Sequence, residues 1–310
     1  MRALGCMVVR DECDIIELAV RHNLALLDGI AIIDHGSTDG TSEILAALAA
    51  EGLPLFVTPD RNPKFRQKAM LNSLVRQTLW GTAVDWIVPI DADEFLAARG
   101  RADLERALGE LPRERPSLLE WPTCFPTFDA RVPLVQRLAH PRRVTDPGHA
   151  FRKVVVPRAV FDLRGVEVDA GNHGLVASLP GTTAPAGFPV PREQLSMIHV
   201  PIRSADQFLV KCATGWLSVV AQERRRPSYS FHWREAFDAI AEGASVDDAT
   251  LSAAAVNYGI PRAAWRDVAG LVEDVPPFLL SSGVRYAHLA RPSGIGRVLK
   301  HAERLLTTPR

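Results

Sequence analysis

The opening third of the chain alternates short apolar runs with amphipathic stretches, and this alternation limits the fold more than any other feature. Leu4 to Val9 and Gly29 to Asp34 read as buried strands, Leu53 to Val57 as a short third strand and Trp86 to Ile90 as a fourth. Between them, Asp14 to Leu27, Thr41 to Ala50 and Lys64 to Trp80 read as helices. In the first of these, Ile15, Leu18, Ala19, His22 and Leu26 recur along one side. Strands alternating with helices of this length build right-handed βαβ units, and those units imply an α/β fold with a mostly parallel, Rossmann-like sheet flanked by helices.

The later pattern is less regular. Leu104 to Leu111 and Ala205 to Val220 read as helices, and Ser117 to Thr123 and Lys153 to Phe161 as strands. The Pro-, Arg- and His-rich stretch from Thr123 to Pro147 reads as a surface segment, and Gly181 to Pro191 as a loop. The expected organisation is a domain over 1–216 followed by a C-terminal helical extension over 217–310.

Bulk properties narrow the function classes. Apolar residues make up 47% of the 310-residue chain and charged residues 23%, enough to fill a core and too apolar for a disordered chain. Thirty-six basic residues balance 36 acidic ones, so no global positive field exists to hold nucleic acid. Cys6, Cys13, Cys124 and Cys212 are scattered, with no C-x-x-C pair, which suits a reducing cytoplasm. The N-terminal apolar run is too short for a signal peptide, and no run approaches the roughly 18 apolar residues of a membrane span.

The chemistry concentrates where strands end. The Trp86–Ile90 run stops at Asp91-Ala92-Asp93-Glu94-Phe95. Carboxylates this close repel one another unless a cation joins them. If the chain stays extended, Asp91 and Asp93 project to one side and converge on a single ion. Hard oxygen donors suit Mg²⁺ or Mn²⁺. The second strand also ends in a carboxylate, Asp34, followed by His35-Gly36-Ser37-Thr38-Asp39-Gly40, a turn whose residues serve equally as helix caps or as ligand contacts. The first strand ends in Arg10, Asp11 and Glu12. Strand ends of this kind meet at one rim of an open parallel sheet, where ligands bind. Farther on, His173 lies in Gly171-Asn172-His173-Gly174, and His199 precedes Arg203, Ser204 and Lys211. Arg203 and Lys211 are candidate anion contacts near a helix start.

Together, Val9 to Glu12, Ile33 to Thr41, Arg66-Gln67 and Trp86 to Phe95 resemble the family 2-like glycosyltransferases, in the bacterial branch whose acidic motif reads D-x-D-E-F. Ile198 to Phe208 with Lys211 is similar to a second block of that branch. The resemblance covers roughly residues 3 to 216, and departs from the branch at His35, often Asn, and Val200, usually aromatic. It implies a GT-A fold, a nucleotide-diphosphate-sugar donor (a UDP-sugar favoured) and Mn²⁺ or Mg²⁺. It places Asp34 and Asp39 at the nucleoside, with Arg10, Glu12, Arg66, Gln67 and Ala92 also at the donor site. It assigns Asp91 and Asp93 to metal and diphosphate, joined by one histidine, His199 first and His173 next. Because such enzymes invert, it implies a carboxylate base, for which Asp169, Glu167 and Glu94 are the candidates. The acceptor would be a saccharide or lipid-linked saccharide of bacterial surface polysaccharide synthesis.

Two other classes compete. A nucleotidyltransferase would show a Gly-rich basic loop after the first strand, and a phosphohydrolase an Asp nucleophile followed by Asp and Gly-Thr; neither pattern is present. A non-catalytic nucleotide-sugar-binding module would not need its acidic motifs intact. Arg224-Arg225-Arg226 reads as a solvated face. Arg297, Lys300, His301 and Arg304, with Val298, Leu299, Leu305 and Leu306, read as a basic amphipathic surface helix whose second use is peripheral contact with an anionic inner membrane.

Overall fold

The structure is a computed structural model and describes residues 1–62, 66–79, 83–221, 231–280, 283–291 and 294–307. In chain order the first elements are β1 (Ala3–Val9), α1 (Ile16–Leu24), β2 (Gly29–Asp34), α2 (Thr41–Ala50), β3 (Leu55–Pro59), α3 (Gln67–Leu79) and β4 (Trp86–Pro89). The middle of the chain holds β5 (Glu94–Leu96), α4 (Arg101–Gly109), β6 (Ser117–Glu120), β7 (Cys124–Phe125), α5 (Leu134–Arg137), β8 (Arg142–Val144), β9 (Arg152–Pro157) and α6 (Arg158–Phe161). Then come β10 (Val166–Val168), β11 (Leu175–Ala177), β12 (Phe188–Pro189), β13 (Met197–His199), α7 (Ala205–Val220), α8 (Phe231–Ala241), α9 (Asp248–Val256), β14 (Val272–Asp274) and α10 (Gly294–Thr307). The ends of the helix expected over 64–80 and the basic run 224–226 lie outside the described residues.

The fold is α/β, with one large sheet in the order β12-β6-β9-β4-β1-β2-β3. β1 pairs in parallel with β2 and β4, and β2 with β3, whereas β9 runs antiparallel between β4 and β6. The parallel half is the part that the alternating pattern foretells. Its inner strands are apolar on both faces because helices cover both: one core joins β1 and β2 to α1 and α2, and a second joins them to α3, whereas the edge strand β3 is largely exposed. The register sets Val9 beside Asp34, so the first two strands deliver their polar ends to the same rim.

A smaller layer completes that rim. β5 and β13 pair antiparallel, with His199 opposite Glu94, and β10 and β11 form a hairpin. The boundary expected after residue 216 falls inside α7. Elements beyond it pack on the first part: β14 pairs with β8, the Leu280 N–H donates to His22 Nδ1 at 3.1 Å, and Arg285 and Tyr286 N–H groups donate to Glu17. Although α8, α9 and α10 make this region largely helical, it wraps the first part rather than trailing from it. Among the described residues, no helix is long and apolar enough to cross a membrane.

Two buried asparagines clip the rim in place. Asn23, from α1, donates to the Glu94 carbonyl at 2.9 Å and accepts from the Leu96 N–H at 3.1 Å. Beside it, His22 Nε2 donates to the Leu96 carbonyl at 2.9 Å; burial pushes its pKa down to about 4, which keeps the ring neutral. Asn72, from α3, makes the same two-bond clamp on Val168, at 2.8 and 2.9 Å. An edge strand that has no neighbour on one side thus finds an amide side chain to satisfy its backbone. Asn23→Ala leaves a buried N–H and a buried carbonyl unpaired, and should destabilise the fold by about 2–4 kcal/mol. Urea unfolding measures this, and a loss well under ~1 kcal/mol would mean that the clamp is dispensable.

Candidate functional site

At the carboxyl ends of β1 and β4 opens a cavity of about 1050 Å³. Its lining includes Arg10, Asp11, Glu12, Arg66, Gln67, Asp91, Ala92, Asp93, Trp121, Lys153, Glu167, Asp169, His173, His199 and Lys211. Most of the residues singled out by sequence therefore meet on one wall. Asp34, Asp39, Glu94 and Arg203 are not on it.

The acidic motif does not run extended. The Glu94 N–H donates to the Asp91 carbonyl at 3.1 Å, and the Asp91 N–H to the Glu94 carboxylate at 2.8 Å, so the chain turns at Ala92 and Asp93. This corrects the expectation that Asp91 and Asp93 converge on one ion, which held only for an extended chain. The turn sends the carboxylates to different cations. Lys153, 1% exposed, bridges Asp91 at 2.9 Å and Glu94 at 2.7 Å. Asp93 instead meets Lys211 at 2.5 Å and Arg203 at 3.7 Å. Burial pushes the Glu94 carboxyl up to about 7, against the pull of Lys153. Burial would raise Asp93 too, but Lys211, His199 and Arg203 hold it below the usual carboxylate range.

Several further expectations are corrected. Glu94 is wholly buried beneath the cavity and bonded to Lys153, Trp121 Nε1 and the Asp91 N–H, so it cannot reach an acceptor hydroxyl. Arg203 is likewise wholly buried. Its guanidinium pairs with Asp14 at 2.7 Å and with Glu12, and donates to the Val200 carbonyl, so it supports the site from below instead of touching an anion. Asp34 accepts from the Ser37 N–H at 3.0 Å and from the Ser42 hydroxyl. Asp39 accepts from the Cys13 N–H at 2.9 Å, the Thr41 N–H at 3.0 Å and Arg297 at 3.3 Å. Both carboxylates are buried and tie the turn together, and neither lines the cavity.

The remaining residues take defined positions. Arg66 is exposed at the cavity edge, and Gln67 donates to Asp91 at 3.2 Å. Arg10 lies near Ser218 and His301, and Glu12 pairs with Lys211 at 3.2 Å. Asp11 holds a left-handed backbone, φ 52°, fixed by the Ser37 hydroxyl on its N–H and the Thr38 N–H on its carboxylate. Asp169 follows β10 on a tight loop. Among the described residues its carboxylate makes no hydrogen bond or ion pair, whereas Glu167 pairs with Lys68 and Arg76 at 3.5 and 3.4 Å. The loop turns through Gly171, φ 75°, where a Cβ would lie 2.7 Å from the His173 ring. Asn172 then reaches Asp91 at 3.2 Å.

The histidines separate. His199 faces Asp93 with Nε2 3.8 Å from the carboxylate, beyond hydrogen-bond reach; its Nδ1 is buried without a partner among the described residues. Its ring stacks on Trp121 at 3.9 Å, and burial keeps it neutral, far below the ordinary histidine pKa. His173 donates through Nδ1 to the Arg152 carbonyl at 2.8 Å and stacks on Phe151. Among the described residues, no group of three or more His, Cys, Asp or Glu side chains is arranged to hold a metal. The donor pair Asp93 and His199 fits an ion whose other ligands come from phosphate and water; the imidazole is a softer donor than Mg²⁺ usually takes and favours a transition-metal ion such as Mn²⁺. Lys211 occupies the Asp93 side of that position.

Lys153, Trp121 and Tyr258 were not singled out by sequence. Lys153 does carry a signal, a cation set directly against the apolar run Val154 to Val156 of β9, after Arg152. Trp121 and Tyr258 carry none, since aromatic residues are ordinary core material. The basic tail also differs from expectation. Arg297 donates to Asp39 and Arg304 to the Gly36 carbonyl at 2.9 Å, while His301 bonds Ser218 at 2.7 Å. Ile295, Leu299 and Leu306 face outward, 73%, 62% and 86% exposed. Arg297, His301 and Arg304 are thus held by hydrogen bonds to the body of the protein, whereas Lys300 is exposed beside this apolar stripe.

No protein-family model matches this chain, and no curated protein sequence does. Among solved structures, the chain is similar to S. aureus TarS 1–349, at 10% identity over 76% of this chain and 69% of that one, with a TM-score of 0.39. The same protein in complex with UDP-GlcNAc matches at 10% identity over 82% of each chain, with a TM-score of 0.37. The mannosyltransferase PcManGT from Pyrobaculum calidifontis, in complex with GDP-Man and Mn²⁺, matches at 14% identity over 81% of this chain and 78% of that one, with a TM-score of 0.42.

Proposed function

We propose that this chain is a metal-dependent glycosyltransferase of GT-A type, transferring a sugar from a nucleoside-diphosphate sugar to an acceptor hydroxyl with inversion. The observation that carries this reading is the meeting, on one large cavity at the ends of parallel strands, of Asp93, His199 and the carboxylate of Asp169, which has no hydrogen-bond or ion-pair partner among the described residues. A binding module needs no uncommitted carboxylate opposite its ligand site. A divalent ion held by Asp93 and His199 would supply Lewis-acid stabilisation of the diphosphate leaving group.

The protein's own residues divide the remaining work. Arg10, Arg66 and Lys211 line the cavity as cations for the diphosphate. Lys153, Asn172 and Gln67 hold Asp91 and leave it facing the cavity. Asp169 takes the proton as the acceptor oxygen bonds to the anomeric carbon and the bond from that carbon to the phosphate oxygen breaks. Glu167 is held by Lys68 and Arg76 and is the weaker base.

Metal dependence has a direct test. Nucleoside diphosphate should bind in Mn²⁺ and bind at least tenfold more weakly in chelator, and Asp93→Asn should erase most of that difference. Titration calorimetry reads both, and equal affinity in Mn²⁺ and chelator would defeat the metal assignment. For the base, Asp169→Asn should slow transfer by about 10²–10⁴-fold while nucleoside diphosphate affinity stays within a factor of two or so. Unchanged transfer by this variant, measured with a donor that the wild type uses, would move the role elsewhere.

A further inference from the structure

Beside the large cavity lies a second, apolar one of about 210 Å³, enclosed by α7, α8, α9 and the segment after α9. Ile202 and Phe208 line one side, Trp233 and Ile240 another, and Ala254 and Trp265 close it. The lining is mostly apolar, with Glu235, Thr250 and Arg262 among its polar members; Asn257 is already committed, donating to the Ala253 and Arg266 carbonyls at 3.0 Å each and accepting from the Arg266 N–H at 2.8 Å. Apolar cavities of about 150 Å³ stay dry and take up a benzene ring. This one therefore has room for a single aryl ring or a short alkyl group, and not for a long lipid chain.

The two cavities share Lys211, His232, Trp233, Tyr258 and Gly259 in their linings. A row of rings runs between them. Trp121 stacks on His199 at 3.9 Å, His199 meets Tyr258 at 4.8 Å, Tyr258 meets His232 at 5.6 Å, and His232 meets Trp233 at 5.3 Å. The row starts at the acidic motif and ends inside the apolar cavity. Trp233 reaches its place because α7 has a glycine opposite it: a Cβ on Gly215 would lie 2.6 Å from the indole. Glycine inside a helix costs about 1 kcal/mol, and here it admits the aromatic side chain that divides the two spaces.

We propose that this cavity is the subsite for an apolar aglycone on the acceptor, an aryl or short alkyl group that enters across Tyr258 and His232 while the acceptor hydroxyl stays in the large cavity. The assignment rests on the transferase reading for its placement next to the reacting hydroxyl. The chemistry that selects the ligand is burial of apolar surface against Trp233, Trp265 and Ile240.

Titration calorimetry with methyl, phenyl and hexyl β-D-glucopyranosides tests it. The phenyl or the hexyl glucoside should bind roughly tenfold or more tightly than the methyl one, and which of the two gains tells an aryl group from an alkyl one. Ala236→Leu and Ala254→Leu each fill the cavity from a different helix, and each should remove the gain while leaving nucleoside diphosphate affinity unchanged. Equal binding by all three glucosides, absence of binding by any, or a gain that survives a folded variant would overturn the proposal. If neither variant folds, crystals of the wild type soaked with phenyl glucoside decide: the ring should lie between Trp233 and Trp265, and density elsewhere overturns the assignment. Selective binding of the phenyl or hexyl glucoside by a protein that binds no nucleoside diphosphate would sink the transferase reading and keep the cavity; the reverse pattern would sink the cavity alone.

Discussion

Beneath the rim of the sheet, Lys153 lies buried with its ammonium between Asp91 and Glu94, while Arg203 and Lys211 do the same for Asp93, Glu12 and Asp14. Carboxylates packed this closely at the end of an apolar strand would repel one another and drive the turn apart. The cations that prevent this come from distant parts of the chain, Lys153 from β9, Lys211 from α7 and Arg203 from just before it. The cluster therefore joins the central sheet to the region beyond β13. Removing one member of such a buried pair typically costs about 3–5 kcal/mol, because the other is left charged and unpaired. The same arrangement places two carboxylates, Asp91 and Asp93, at the cavity surface with their orientations set.

Around this cluster the wall is held by directional bonds more than by bulk packing. The Asn23 and Asn72 clamps position the edge strands that carry Glu94 and Glu167, and Trp121 bonds Glu94 with its indole N–H while its face backs His199. His199 is thereby kept neutral, immobile and close to Asp93, the state in which an imidazole can act as a ligand. A cation bound between Asp93 and His199 would displace Lys211 from the Asp93 carboxylate.

The last helix reverses the usual amphipathic rule. In α10, Arg297 and His301 are buried against the strand-end rim, and the apolar stripe of Ile295, Leu299 and Leu306 faces out. Electrostatics explains the choice. Asp39 and the carbonyl of Gly36 sit at that rim, and a partly buried ion pair or charged hydrogen bond gains more than a basic residue left in water.

What the sequence determined by itself is periodic or local: the alternating strands and helices of the parallel half, the strand-end carboxylates and the α/β class. These are legible because each depends on residues within one turn or one strand. That Asp91 and Asp93 meet the end of β1 was also foreseeable, since parallel strands end at one rim; Asp169, His173, His199 and Lys211 reach the same cavity from the loop after β10, from β13 and from α7, which no parallel register places. Only the tertiary structure decided which of them face the cavity. The turn at Ala92 and Asp93 parted the two aspartates, burial took Glu94 and Arg203 out of reach, and backbone N–H groups claimed Asp34 and Asp39. Lys153 joined the site from a strand that runs antiparallel to its neighbours, and Trp121 and Tyr258 came from segments with no local signature. The physical reason is that a charged side chain is oriented by whichever partner satisfies it best: some partners are local, as Ser37 and Ser42 are for Asp34, and others, such as Lys153 for Glu94 and Lys211 for Asp93, lie tens to hundreds of residues away in the chain.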